Sequence, residues 1–262
     1  MQKKQDKIII SLSSKKENIK NTFDVIHSII EQNVERDSYK ILLILSEKEF
    51  KNIHSLPEKI RLLIKKKRVD LLFIKENLNN LKRTLITMKM YNNNPIIIIN
   101  NGCLLPEGWL KMFIKDHSKY PNDAIAATIQ YFYGQNSDIR EFSEGFKGKK
   151  FGLFNHVTEM IFNFAIFNID LGGILYPKNF FRNNYFYDIN LYSKITNNSE
   201  EFWESAFIIL EDKILRQSSK IFDYTKYLID NYNYEDIIME NIKMLEQIKL
   251  SFIKIFLILI IL

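Results

Sequence analysis

Four consecutive isoleucines, Ile96 to Ile99, constrain the fold of this chain more than any other feature. A strand alternates its side chains between two faces, so an unbroken apolar run needs cover on both, as in a parallel sheet flanked by helices. The run stops without transition at Asn100-Asn101-Gly102, and a turn containing Pro106, Gly108 and Trp109 follows. In open α/β sheets, ligands sit beyond the carboxyl ends of the strands, which makes this strand end the first place to look for chemistry. Its three residues include no carboxylate.

The isoleucine run is the fourth in a series. Lys7 to Leu12 reads as a first strand, and Asn18 to Gln32 places Ile19, Phe23, Ile26, Ile29 and Ile30 at helical spacing. Lys40 to Leu45 is a second strand ending in Ser46-Glu47, a short helix runs from about Pro57 to Lys67, and Val69 to Ile74 is a third strand. A helix from about Asn80 to Tyr91 leads into the isoleucines. This alternation predicts a Rossmann-like half built on a mainly parallel sheet, with the fourth strand central and ending at Asn100. All eight glycines lie between Gly102 and Gly173, which excludes a GxGxxG or P-loop phosphate cradle in the first four strands. Dehydrogenases and kinases therefore fit poorly. Tyr131 to Phe151 is polar, aromatic and glycine-bearing, as expected of a long functional loop or small insertion.

At 262 residues, 46% hydrophobic and 13% aromatic, the chain has enough apolar material for a packed core. Its net charge of +6 is spread along the sequence, which reads as a solvated surface rather than a nucleic-acid footprint. The single cysteine, Cys103, excludes internal disulfides, and four scattered histidines do not make a zinc site, so a reducing, cytoplasmic setting is expected. The apolar stretch near the start, IIISL, is shorter than a signal-peptide core and reads as strand. Leu250 to Leu262 is apolar apart from Ser251 and Lys254 but shorter than the ~20 residues that span a bilayer. A packed helix, a subunit contact and a peripheral anchor on the inner face of a membrane all remain open for it. Lys65-Lys66-Lys67-Arg68 reads as a solvated helix end favoured by the dipole, with contact to anionic lipid as the alternative.

Several short segments occur in a telling order: Ser11-Leu12-Ser13-Ser14, Leu45-Ser46-Glu47, Leu56-Pro57-Glu58, the isoleucine strand with Pro106, Trp109 and Leu110, Gly172-Gly173-Ile174-Leu175-Tyr176-Pro177, and Ser199-Glu200-Glu201-Phe202-Trp203. Together they resemble the bacterial glycosyltransferases of the GT-A fold, in the family 2-like branch found in surface-polysaccharide gene clusters. The likeness runs from about Lys7 to Lys213. It implies an α/β, Rossmann-like nucleotide-diphospho-sugar transferase fold with a mainly parallel central sheet and C-terminal helices. It also implies a nucleotide-binding half over 1–106, an acceptor half over 107–213, and a helical appendage with an apolar tail over 214–262. In such relatives the fourth strand ends in aspartates that hold Mg²⁺ or Mn²⁺ against the nucleotide diphosphate. Asn100-Asn101-Gly102 stands in their place, a degenerate Asp-x-Asp motif, so metal binding by that route is expected to be lost.

The resemblance assigns roles to particular residues. Ser11, Ser13 and Glu47, together with Asn100, Asn101 and Gly102, fall where the nucleotide would dock, and Lys82 and Arg83 are candidates to replace the metal as a cationic clamp. Gly172, Gly173 and Tyr176 fall on the sugar or acceptor wall, although two glycines equally suit a tight turn or a close backbone approach. Glu200 and Glu201 are candidates for the base that takes the acceptor proton; Asn198-x-x-Glu201 also has the spacing of a helix capping box. Trp109 and Trp203 read as core anchors. The expected function is transfer of a sugar from a nucleotide-sugar donor to a glycan, lipid-linked or surface-polysaccharide acceptor, without a required metal. The alternatives are an inactive descendant that binds a nucleotide, a glycan or a partner transferase, and a structural subunit at a membrane surface.

Overall fold

The structure, a computed structural model, describes residues 6–75, 80–128, 130–132, 166–168, 171–196, 203–204, 207–208, 211 and 213–229. Glu200, Glu201, the loop over 133–151 and the apolar tail after Leu250 lie outside the described residues.

The first half of the chain alternates strand and helix: β1 (Ile8–Ser13), α1 (Ile19–Ile30), β2 (Tyr39–Ser46), α2 (Glu58–Lys65), β3 (Val69–Ile74), α3 (Asn80–Met90) and β4 (Ile96–Ile98). After these come α4 (Trp109–Lys119), β5 (Ala124–Ala126), β6 (Gln130–Phe132), β7 (Ile166–Asn168), β8 (Ile174–Tyr176), α5 (Ile189–Thr196) and β9 (Leu215–Gln217). Each boundary in the first half lies within a few residues of the one expected from periodicity. Helix α1 buries Ile19, Val25, Ile26 and Ile29 along one stripe, each such side chain contributing about 1.5–3 kcal/mol.

The main sheet has seven strands in the order β3-β2-β1-β4-β8-β5-β9. β1 runs parallel to both β2 and β4, with Ile10 opposite Ile41 and Ile97, and β3 runs parallel to β2. β8 runs antiparallel to β4 and β5. The sheet is mostly parallel, and β4 stands in the middle of the order. Ile96 to Ile99 are at most 5% exposed, as their sequence demands. The strand order reverses at β1, whose neighbours are reached in opposite directions, and at such a switch the loops diverge to leave a crevice at the carboxyl ends.

The chain divides into two compact units. The first comprises described residues within 1–128, 170–180 and 218–232; the second lies within 129–169, 181–217 and 233–262. In the second unit, β6 and β7 form an antiparallel pair with Tyr131 opposite Phe167. Its aromatic cluster joins Phe186, stacked on Phe181 at 3.8 Å, to Phe207 and Trp203. Trp203 is fully buried and its Nε1 donates to the Phe186 carbonyl at 2.9 Å, so it is a core anchor. Both oxygens of Glu211 accept from the Arg182 amide, closing the turn before Asn183.

Candidate functional site

In the first unit, β1 and β4 deliver their carboxyl ends side by side, and α3 passes beneath them. Arg83 of α3 is 2% exposed. Its Nη1 donates to the Ile99 carbonyl at 2.8 Å and to Ser13 Oγ at 3.3 Å, and its Nη2 donates to Asn100 Oδ1 at 3.1 Å. A fixed positive charge therefore lies at the strand ends, joined to both. One turn on, Thr87 Oγ1 donates to the Arg83 carbonyl at 2.8 Å, so Ser11 is the donor in the 2.7 Å bond between Ser11 Oγ and Thr87 Oγ1.

Asn101 faces the other way. Its Nδ2 donates to Ser14 Oγ at 3.1 Å and to Thr22 Oγ1 at 2.8 Å, and Ser14 Oγ in turn donates to the Lys15 carbonyl at 3.0 Å. The two amides thus have opposite duties. Asn100 accepts from α3, and Asn101 donates to α1 and to the turn that precedes it. A carboxylate could perform the first duty but not the second, because it has no proton to give.

The expected site residues do not all come together. Ser13, Arg83, Asn100 and Asn101 meet at the crevice. Ser11 lies within β1, opposite Ile98, fully buried and bonded to Thr87. Glu47 is exposed beyond β2, its amide bonded to the Ile74 carbonyl at 2.8 Å, and Lys82 is half-buried on α3. Gly102 is buried, and its carbonyl accepts from the Ile229 amide at 3.0 Å, while the Leu104 amide donates to Tyr227. Residues 227–229, expected in the appendage, pair alongside the strand end.

Gly172 and Gly173 are both left-handed, with φ of +80° and +82°. A Cβ at Gly173 would stand 2.4 Å from the Ile98 carbonyl oxygen, and one at Gly172 would stand 2.3 Å from Cζ of Tyr224. Close backbone approach explains the pair. The Gly172 carbonyl also accepts from Trp109 Nε1 at 2.8 Å, which makes Trp109 a core anchor as expected. Tyr176 lies elsewhere: it is 1% exposed and pairs with Ile96, at the amino end of β4. Because β8 runs against β4, three residues beyond Gly173 carry the chain about 10 Å away from the crevice.

The motifs assign no role to Thr22, Thr87, Gln32 or Tyr224. Thr22 and Thr87 are wholly buried, and the signal for the first is a polar residue on the apolar stripe of α1, between Ile19 and Ile26. Buried Gln32 accepts from the Leu110 amide at 3.2 Å and donates to the Pro106 carbonyl at 3.0 Å, fixing the turn after the strand. Tyr224 is 2% exposed and pressed against Gly172; burial, with Cys103 nearby, pushes its hydroxyl well above its ordinary pKa.

The donor set at the strand end does not fit a hard divalent cation. Asn100 Oδ1, the oxygen best placed as a ligand, already accepts from a guanidinium; Asn101 presents N–H; Gly102 has no side chain. Among the described residues no group of three or more His, Cys, Asp or Glu side chains could hold a metal. None of the described helices is long and apolar enough to cross a membrane.

No protein-family profile matches the sequence, and no curated protein matches it. Solved structures do. TarS 1–349 of S. aureus superposes with a TM-score of 0.55 at 12% identity, covering 82% of this chain and 59% of that one. GalNAc-T7, solved with UDP, GalNAc and Mn²⁺, gives a TM-score of 0.53 at 14% identity over 82% of this chain and 43% of its own. The 4-diphosphocytidyl-2C-methyl-D-erythritol synthase of Anaerococcus prevotii gives 0.50 at 11% identity, over 91% of this chain and 96% of its own. At such identities the likeness is one of fold. The fold is that of the GT-A nucleotide-sugar transferases, and the chain spans less than two thirds of the TarS segment it matches.

Proposed function

We propose that this chain is a nucleotide-sugar-dependent glycosyltransferase that holds its donor at the carboxyl ends of β1 and β4 and works without a bound divalent metal. The observation that supports this is buried Arg83, fixed between Ser13, the Ile99 carbonyl and Asn100 where the strand order reverses. In the transfer, the acceptor hydroxyl oxygen forms a bond to the anomeric carbon as the bond from that carbon to the diphosphate oxygen breaks. The electron pair leaves with the nucleoside diphosphate, and the hydroxyl proton passes to a base. Arg83 places positive charge beneath the departing diphosphate, and Lys82 adds to it from the same helix. Ser13 and Glu47 lie on the nucleoside side, and Gly172-Gly173 form the opposite wall. Glu200 and Glu201 are the base candidates. The acceptor is a glycan or lipid-linked saccharide of the bacterial surface-polysaccharide class, reached from the cytoplasmic side.

One observation favours a second reading. Both strand-end amides already bond protein partners, as expected if the chain binds a nucleotide or a partner transferase without turnover. A panel of nucleotide sugars, assayed for nucleoside diphosphate release with EDTA and with Mn²⁺, separates the two. Release with any donor, unchanged by EDTA and lost in Glu200→Gln or Glu201→Gln with the melting temperature retained, supports transfer. Calorimetric binding without release supports the second reading. A folded sample that binds no nucleotide sugar under either condition overturns transfer and nucleotide binding, and leaves only the partner-binding form of the second reading.

A further inference from the structure

The amino ends of β1, β2 and β3 lie at the opposite edge of the same sheet, and charge gathers there. Lys7 precedes β1, Arg36 and Lys40 flank the start of β2, and Lys66, Lys67 and Arg68 link α2 to β3. They line a cavity of about 440 Å³ together with Asp37 and Asp70, so its ionic residues sum to six positive and two negative charges, net +4.

Two of these cations are fixed parts of the wall. Lys40 Nζ is bound to Asp70 at 2.6 Å and to the Tyr91 hydroxyl at 3.2 Å. Arg36 lies 4.8 Å above the Tyr39 ring and donates to the carbonyls of Tyr39 and Arg68, each at 3.0 Å. The other four, Lys7, Lys66, Lys67 and Arg68, are exposed, and their side chains make no ion pair or hydrogen bond among the described residues. Like charges converging on a concave surface repel one another unless an anion joins them.

The link itself gives an independent indication. The Lys66, Lys67 and Arg68 amides turn back onto the carbonyls of Leu62, Ile64 and Leu63, each at 2.9 Å, and close α2. That closure needs a left-handed residue, and Lys67 supplies it at φ 56°. Glycine or asparagine is the usual occupant of such a helix end, because a larger side chain is strained there. Here the strained position keeps a cation at the rim of the cavity.

We propose that this cavity is a second anion site that takes the phosphate or diphosphate group of a phosphate ester, apart from the crevice at the carboxyl ends of β1 and β4. A monovalent carboxylate would compensate one of the four free cations, whereas a diphosphate carries enough charge and acceptor oxygens to engage several, with Arg68 able to bind two oxygens at once. The volume exceeds that of a bare phosphate and leaves room for the group it esterifies. The positive residues face one cavity and do not form a stripe, which separates this site from a polynucleotide track. The phosphate can belong to a soluble ester or to a phospholipid headgroup, and the test distinguishes them.

The full chain is titrated at low ionic strength with inorganic pyrophosphate, and sedimented with vesicles of phosphatidylcholine alone or mixed with phosphatidylserine. The variant combines Lys66→Ala, Lys67→Gly and Arg68→Ala; these side chains are exposed and glycine suits the left-handed position, so thermal melting is expected to match that of the parent. Pyrophosphate affinity is expected to fall at least about tenfold, the effect of losing one charge-assisted hydrogen bond. Loss of pyrophosphate binding without vesicle binding by the parent, or with vesicle binding that the variant retains, assigns the site to a soluble ester. Sedimentation with the phosphatidylserine vesicles alone, lost in the variant, assigns it to lipid. Equal binding of pyrophosphate and vesicles by parent and variant, or no binding of either by the parent, overturns the proposal.

Discussion

The two edges of the sheet in the first unit use polar residues in opposite ways. At the carboxyl edge, Ser13, Ser14, Thr22, Arg83, Asn100 and Asn101 are tied by hydrogen bonds to one another and to the backbone, and Gly173 packs closely on Ile98 and Ile99. At the amino edge, Lys7 and Lys66 to Arg68 stand in solvent around an open cavity. The first edge is held by short, directional, buried contacts, each costly to break. The second is held by few contacts and carries long-range charge. Substitution should therefore damage stability at the carboxyl edge and ligand affinity, with little stability, at the amino edge.

The sharpest way to break this contrast is Gly173→Ala. Its Cβ would meet the Ile98 carbonyl oxygen at 2.4 Å and Ile99 Cγ2 at 2.6 Å in a left-handed backbone, a combined cost of about 3 kcal/mol or more in urea denaturation. A loss below about 1 kcal/mol would mean that the carboxyl edge yields easily. Next in size is Arg83→Met, which strands the Ile99 carbonyl, Ser13 and Asn100 and should cost about 2–3 kcal/mol. On the proposed function it also weakens nucleoside diphosphate binding, and Arg83→Lys restores part of both. Asn101→Asp keeps the shape but cannot donate to Ser14 and Thr22, so a loss of about 1 kcal/mol is expected at neutral pH; an unchanged denaturation midpoint would show that the hydroxyls reverse their roles without cost.

The smallest effect belongs to the amino edge. The Lys40–Asp70 pair has side chains 32% and 48% exposed, so Asp70→Asn should cost less than about 1 kcal/mol. The hydrogen bond to Asp70 raises the pKa of Lys40 above its ordinary 10.5, with burial opposing it and Tyr91 helping. A lysine with a raised folded pKa adds stability that is whole below the unfolded value. That stability fades as pH climbs from about 10.5 through the folded value. Denaturation of parent and Asp70→Asn at pH 8 and pH 11 should show a difference at the lower pH that shrinks at the higher, and a difference that grows instead would remove this pair from the account.

Much of the carboxyl edge is legible in the sequence. Ser13, Arg83, Asn100 and Asn101 are marked by their positions at strand ends and at a helix start; the fold joins the first three by hydrogen bonds through Arg83 and turns Asn101 onto Ser14 and Thr22. The purpose of the amides is not legible there. Asparagine in place of aspartate reads as a lost metal ligand, whereas the partners of the two amides, Arg83 seventeen residues before Asn100 and Thr22 far upstream of Asn101, are set by how α3 and α1 cross the sheet. Tyr176 shows a second limit. Close to Gly173 in sequence, it falls at the far end of β4, because nothing local to Ile174-Leu175-Tyr176 says which way the strand runs.

The sequence alone determined the first four strands, the helices between them and the burial of the isoleucine run, because periodicity of apolar side chains is a local property that the backbone repeats impose. Tertiary structure alone decided three things. It set the reversed direction of β8, the division of labour between Asn100 and Asn101, and the gathering of Lys7, Arg36 and Lys66 to Arg68 around one cavity. Each depends on which distant segments become neighbours when the sheet is ordered, and hydrogen bonds and charges act between neighbours in space, whatever their separation along the chain.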